Sequence, residues 1–292
     1  MNGHEARQVL ACGCELGEGP LWHAADSRLY WCDILAGRLH WLDPASGESD
    51  WADFGRYISL AVPLEGGGMM VAGENRLERF EPATGQREAL MDFEADNPLT
   101  RPNDGRVDRH GYLWLSSMGK AAEPGAGSLY RLHRGELVRL RSGITIPNAI
   151  SFSPDGKRAY FADTARGMVF TWALDPQGWP LGEPVPWFDS AAREGAPDGA
   201  VVDSEGAMWL ALWGAGKVVR LSPDARIIDE IRVPTSQPSC PAFGGGRLDR
   251  LYITTAREGM GEAQRQRELQ AGDLFVAALK TPGLAEPLLR LG

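Results

Sequence analysis

Short apolar runs separated by turn residues organise this chain. No helical periodicity persists over the ~11 residues needed to read a helix. Between Asn148 and Gly178 the order is strand, Ser-Pro-Asp-Gly turn, strand, short loop, third strand and Asp-Pro-Gln-Gly turn. Asp198–Arg226, Asn103–Glu136 and Glu18–Glu48 repeat that order, and Ser59–Gln86 and Pro241–Leu279 repeat it less cleanly. Six units at a period of roughly 40–50 residues predict an all-β, six-bladed β-propeller, with four antiparallel strands per blade around a central channel.

The second strands align as LYWCD, MMVAG, LWLSS, AYFAD, MWLAL and LYITT. Their fourth residues, Cys32, Ala72, Ser116, Ala162, Ala211 and Thr254, are all small, which suits close blade-to-blade packing. A ring must not leave a bare edge, so Gln8–Cys12 is expected to supply the outermost strand of the last blade. The expected unit is a single propeller domain over residues 1–292, with blades starting near 18, 59, 103, 148, 198 and 241. Gly261–Gln270 reads as a loop or a short helical turn, and the triple glycines at 66–68 and 244–246 read as hairpin turns.

Antiparallel strands alternate direction, so residues at one phase of the repeat reach one face of the disc. The starts of the innermost strands carry Glu18, Ser59 or Leu60, Asn103, Asn148, Asp198 and Pro241. Four of these six bear carboxylate or amide oxygens, a donor set that suits a hard divalent cation and is also open to zinc. Turn preference alone accounts for Asn and Asp at such positions, but not for Glu18. Loops Met118–Gly127 and Arg257–Gly272 fall on the same face and are expected to shape a pocket, the alternative being tolerated surface insertions. Arg257 itself is expected in a surface salt bridge rather than on a substrate.

Composition narrows the class. With 43% hydrophobic and 24% charged residues the chain is globular, and its 36 Gly and 20 Pro suit many tight turns. A net charge of −9 without any basic run argues against a nucleic-acid surface. No stretch approaches the ~18 apolar residues of a membrane span. Met1–Leu16 contains Glu5, Arg7 and Glu15 and no long apolar core, so no secretory signal is read there and a cytoplasmic location is expected. Cys12, Cys14, Cys32 and Cys240 form neither a disulfide framework nor a zinc spacing, and are expected to be reduced packing thiols. His4, His23, His40, His110 and His133 are expected at the surface or in turns. A Ser nucleophile elbow and a phosphate-binding loop are both absent.

Glu18-Gly19-Pro20 with Trp22, Arg101-Pro102-Asn103-Asp104-Gly105, Ile146-Pro147-Asn148 and Pro197-Asp198-Gly199 resemble the signature segments of the SMP-30/gluconolactonase/regucalcin family, in family order, from about Cys14 to Glu258. That resemblance implies hydrolysis of a sugar-acid lactone with one divalent metal: calcium, zinc, manganese, magnesium or iron. Glu18, Asn148 and Asp198 match the metal ligands, and Asp198 also matches the general base. Arg101 and Asn103 match substrate positions. Lys120 stands where mammalian regucalcin-like members carry acidic residues, so it is expected to alter the substrate pocket. The expected partner is a small sugar lactone, of pentono or hexono type, and the expected state is a monomer or weak homo-oligomer. Two rival readings are a metal-dependent phosphotriesterase-like hydrolase and a non-enzymatic calcium-binding protein.

Overall fold

Four-stranded sheets made of these repeats have two apolar faces on their inner strands, and both faces need covering. In the computed structural model, which describes residues 4–190 and 195–292, each sheet is covered on both faces by its neighbours. Six antiparallel sheets form a six-bladed β-propeller. Blade one contains Gly17–His23, Arg28–Asp33, Arg38–Leu42 and Ser49–Asp53, numbered from the channel outwards. Innermost strands of the others are Ile58–Pro63, Thr100–Val107, Pro147–Phe152, Ala196–Val202 and Pro238–Gly244. Residues 1–3, on which part of the N-terminal expectation rests, lie outside the described residues.

Burial follows distance from the axis. The second strands are buried along almost their whole length, as in Met69–Gly73 and Leu113–Gly119, because both faces meet a neighbouring blade. The outermost strands, such as Ser49–Asp53 and Gln86–Asp92, are largely exposed and correspondingly polar. Cys32, Ala72, Ser116, Ala162, Ala211 and Thr254 are all fully buried, as their size predicts. Among the described residues no helix is long and apolar enough to cross a membrane, and the one α-helix is the short Glu262–Arg267.

The ring closes through the N-terminus. Arg7–Leu10 pairs antiparallel with Leu274–Ala278 and completes blade six, two residues short of the expected Cys12. His4–Glu5 adds a short parallel strand outside Ile227–Arg232 of blade five. On the face away from the strand starts, the C-terminal tail crosses the channel. Leu289 N–H bonds Pro63 O and Arg290 N–H bonds Gly111 O, while Glu286 pairs with Arg106 beneath the axis.

Two expectations are corrected. The innermost strand of blade six runs through Pro238–Gly244, and Pro238 pairs with Thr255 as Pro197 pairs with Leu212. Ser239, not Pro241, therefore stands in the ring with Asp198, because the strand starts two residues earlier than the apolar pattern indicates. His40 is not at the surface: it lies within a third strand, 7% exposed, with its ring stacked on Trp31 at 5.2 Å. Arg38–Leu42 is buried at Leu39, His40 and Leu42, so the middle of this third strand offers a polar residue no exposed side. His23, His110 and His133 do sit at strand ends or in a turn. His4 lies in a described strand, but its side chain is outside the described residues.

Within blade three, Arg131 on the third strand donates through Nε and Nη2 to Asp108 Oδ2 at 3.1 and 2.8 Å, both groups fully buried. Removing one partner of a buried pair leaves the other charge uncompensated, at a cost of about 3–5 kcal/mol. Arg131→Ala is expected to lower the urea midpoint by a corresponding amount with little change in slope; an unchanged midpoint would show that the pair contributes nothing net.

Candidate active site

Each innermost strand carries a β-bulge at the same place. Register shifts fall between Glu18 and Leu21, Pro102 and Gly105, Asn148 and Ser151, Pro197 and Ala200, and Pro238 and Pro241, with a smaller one between Ile58 and Leu60. A bulge inserts an extra residue and re-aims a side chain out of the alternation. The residues so placed are Glu18, Ser59, Asn103, Asn148, Asp198 and Ser239, and all six bear oxygen. Local sequence permits it. Gly19 has φ +56°, and a Cβ there would stand 2.6 Å from Ser59 O. At Gly199 a Cβ would meet the Cys240 Sγ at 2.3 Å.

A pocket of about 410 Å³ opens over this ring. Glu18, Arg101, Asn103, Lys120, Asn148 and Asp198 all line it, so every site residue expected from the sequence converges on one cavity. Its walls also include Met118, Ala121 and Ala122 from the blade-three loop and Glu258 from the blade-six loop. Arg257 does neither thing considered for it: it is not in the wall, and its Nε donates to Ala271 O at 2.8 Å.

A hydrogen-bond chain fixes the wall from blade three to blade five. Arg101 Nη1 donates to Asn103 Oδ1 at 2.8 Å, and Asn103 Nδ2 donates to Asn148 Oδ1 at 2.9 Å. Asn148 Nδ2 then donates to Thr164 Oγ1 at 2.9 Å, which donates to Pro197 O at 2.7 Å, one residue before Asp198. Asn103 also donates to Pro147 O at 2.9 Å. Its amide is thus committed on both ends, and its position orients Asn148. Lys120 lines the pocket, but its ammonium pairs with Glu74 and donates to Pro98 O at 2.8 Å, which holds the charge toward blade two.

Negative charge accumulates here. Burial, then Asp104, pushes the Glu18 carboxyl from 4.5 to about 8, against the Gly19 N–H and Arg101. Asp198 is held well above the usual carboxylate range by burial, then by Glu18, Asp104 and Glu258, with Arg101 opposing. Asp104, beneath the ring, is raised to about 6 by burial despite the Ile150 N–H, Arg106 and the Gly105 N–H. Burial also raises Glu258, against the pull of Arg101. Burial lowers the Arg101 pKa, while Glu258 and Glu18 support its charge.

Glu258, Thr164 and Asp104 were not singled out from the sequence. Asp104 stands inside the Arg-Pro-Asn-Asp-Gly segment, and Glu258 opens a loop expected over the pocket, so position was the only signal for either. Thr164 offered none.

The family model for the SMP-30/gluconolactonase/LRE-like region matches residues 16–257, most of the chain. The chain belongs to this family. Among its relatives, the 6-deoxy-6-sulfogluconolactonase of Pseudomonas putida is 36% identical over 278 residues, covering 94% of each chain. The L-arabinolactonase of Azospirillum brasilense is 34% identical over 276 residues, covering 92% of this chain and 90% of the relative. A solved structure of a calcium-binding protein, regucalcin, from Agrobacterium tumefaciens superposes with a TM-score of 0.96 at 36% identity, covering 99% of this chain and 98% of that one. Throughout the match between this SMP-30/gluconolactonase/LRE-like chain and these relatives, coverage is near complete, so no large segment of the propeller stands apart from the comparison.

The raised carboxyls set the sign of a pH effect. A group whose folded pKa exceeds its unfolded value stabilises the fold at low pH and loses that contribution as pH rises through the folded value. Chelator-treated protein is expected to lose thermal stability between pH 4.5 and about 8, the window set by Glu18. Glu18→Gln should flatten that slope in melting curves; an equally steep slope would place the effect elsewhere.

Proposed function

We propose that this chain hydrolyses a sugar-acid lactone to the free aldonic acid, using a divalent cation held by Glu18, Asn148 and Asp198, with Asp198 as the general base. The convergence of the six expected site residues on one 410 Å³ pocket carries this reading. The lactonase names of the relatives support the reaction class. The donor set fits a cation: two buried carboxylates and an amide oxygen face a space where Arg101 is the cation most directly opposed to them. The Thr164 hydroxyl accepts the Asn148 NH2, and Asn148 Oδ1, which accepts the Asn103 amide, keeps a second lone pair for a cation. Oxygen donors of this kind suit calcium, magnesium or manganese, and carboxylates also suit zinc or iron.

A bound divalent cation would supply Lewis-acid polarisation of the lactone carbonyl. Asp198 takes a proton from the attacking water, and the bond between the acyl carbon and ring oxygen breaks. Asp198 returns that proton to the departing ring oxygen, and the product is an open-chain hydroxy acid. Arg101 and Glu258 offer a donor and an acceptor to sugar hydroxyls on one wall, which fixes the approach of the carbonyl. Asn103 acts by holding Asn148 and Arg101 in place. The substrate we favour is a five- or six-carbon aldonolactone, from a reaction that oxidises a sugar. We further read residues 1–292 as one domain, a monomer or weak homo-oligomer, acting in the cytoplasm, where four free thiols are at home.

One observation favours a second reading: the structural relative named above is known as a calcium-binding protein. Turnover separates the two. On a panel of aldono-1,4- and 1,5-lactones, followed by acid release, wild-type protein is expected to accelerate one or two substrates only when metal is restored. Asp198→Asn should lower kcat/KM by about 10²–10⁴, the usual contribution of a general base, with the circular dichroism unchanged. No acceleration with any metal would sink the enzyme reading and leave metal binding.

Lys120 gives a finer test. Its ammonium is already paired with Glu74, so Lys120→Ala is expected to raise KM only a few-fold at constant kcat, the pattern of a lost uniform contact. A loss confined to kcat would instead place the ammonium on the reacting group.

A further inference from the structure

The seam where the ring closes has a chemical character that no other part of the repeat shares among the described residues. Leaving the outermost strand of blade six, the chain passes Cys12-Gly13-Cys14 and enters blade one at Gly17. Cys14 lies there against Asp33, the last residue of the second strand, and His40, in the middle of the third. One ligand atom from each lies within 4.8 Å of the others, and Cys14 Sγ is 3.9 Å from His40 Nε2. Among the described residues this is the only group of three or more His, Cys, Asp and Glu side chains so disposed. All three are buried, at 1%, 4% and 7% exposure. Cys12, two residues earlier, donates its thiol to Gly272 O at 3.3 Å and lies outside this group.

We propose that Cys14, His40 and Asp33 form a binding site for a thiolate-accepting divalent cation of the zinc class.

Blade four provides the internal control. Phe161 pairs with Phe170 across the second and third strands just as Trp31 pairs with His40. The two rings in each blade stack at 5.2 Å, with interplanar angles of 19° and 15°. Asp163 accepts the N–H groups of Thr145 and Ile146 as Asp33 accepts those of Glu15 and Leu16. By that correspondence Ile144, also buried, stands in the place of Cys14. Isoleucine and phenylalanine therefore meet the packing needs of these positions. Thiol and imidazole are not required by the fold, and blade one alone of the pair brings them together.

The chemistry of the set is selective. Zinc bonds of about 2.3 Å to sulfur and about 2.0–2.2 Å to nitrogen or oxygen put tetrahedral ligand atoms about 3.5 Å apart, so closing from 3.9 Å asks for small side-chain adjustments. Thiolate and imidazole favour zinc over calcium or magnesium. Burial lowers the His40 pKa to about 4, so the ring is neutral and keeps a lone pair. Asp33 Oδ2 accepts only the Glu15 N–H at 2.9 Å, and a carboxylate oxygen can accept more. The Cys12 thiol, burial and Asp33 push the Cys14 thiol up, so a cation must displace its proton on binding. Binding releases the Cys14 thiol proton to solvent and oxidises nothing. A cation here would clamp the seam next to Glu15, whose carbonyl oxygen accepts the N–H groups of Arg257 and Glu258.

The test uses full-length protein whose channel pocket is first saturated with magnesium, then titrated with Co²⁺. An all-oxygen site gives no thiolate-to-cobalt charge-transfer band, so that band reports the thiols alone, independently of any lactonase activity. The expected result is a near-ultraviolet band that saturates at one equivalent and is displaced by Zn²⁺. Cys14→Ser should abolish it, and His40→Phe, which copies the blade-four residue, should weaken Co²⁺ affinity at least ten-fold. Asp198→Asn should leave it intact. Absence of the band from folded wild-type protein overturns the proposal. So does a band that survives Cys14→Ser, or one that only Cys240→Ala removes, which would place the thiolate in the channel.

Discussion

A twisted four-stranded sheet with apolar faces on its inner strands can bury both of them only between two sheets like itself, and from this need the rest of the molecule follows. Sheets that each require two neighbours must form a ring, and a ring of twisted sheets leaves a channel along its axis. Strand starts then meet at one mouth. The last sheet lacks its outermost strand until Arg7–Leu10 arrives from the other end of the chain. Closure thereby ties the two ends together and leaves blade six with no open edge on that side.

The channel mouth carries an energetic load that the packed blades support. Glu18, Asp104, Asp198 and Glu258 are all raised above their ordinary range, chiefly by burial. Such a group of carboxyls destabilises a folded chain unless a cation or protons accompany them. Arg101 meets part of the charge, and the relay through Asn103, Asn148 and Thr164 holds the remaining donors still. Function and stability oppose each other here, as they do at sites whose geometry is kept against local cost.

Repetition makes departures informative. Bulges recur in all six innermost strands, so the residue within each bulge can vary freely in chemistry without altering where it points. That is how Glu, Asn, Asp and Ser come to share one ring. The same logic isolates the seam of blade one, where a thiol and an imidazole occupy positions that isoleucine and phenylalanine fill in blade four. Loops vary most. The blade-three loop brings Lys120 to the pocket with its charge already paired, and the blade-six loop brings Glu258.

Much of the propeller was legible in the chain because its cause is local. Turn residues between apolar runs, and small fourth residues in the second strands, report strand ends and blade packing directly. Repeat phase placed Glu18, Asn103, Asn148 and Asp198 together, since equal phase means equal position around an axis. Phase did not reveal the ring position of Ser239, because a strand start hidden among Pro238-Ser239-Cys240 has no apolar contrast to mark it. Nor did it reveal the burial of His40, since coverage of a third strand depends on the neighbouring blade. Glu258 beside Arg101, the paired ammonium of Lys120, and the meeting of Cys14 with Asp33 and His40 were decided by tertiary structure alone. Each depends on segments from different blades or turns approaching in space, and separation along the chain carries no record of such an approach.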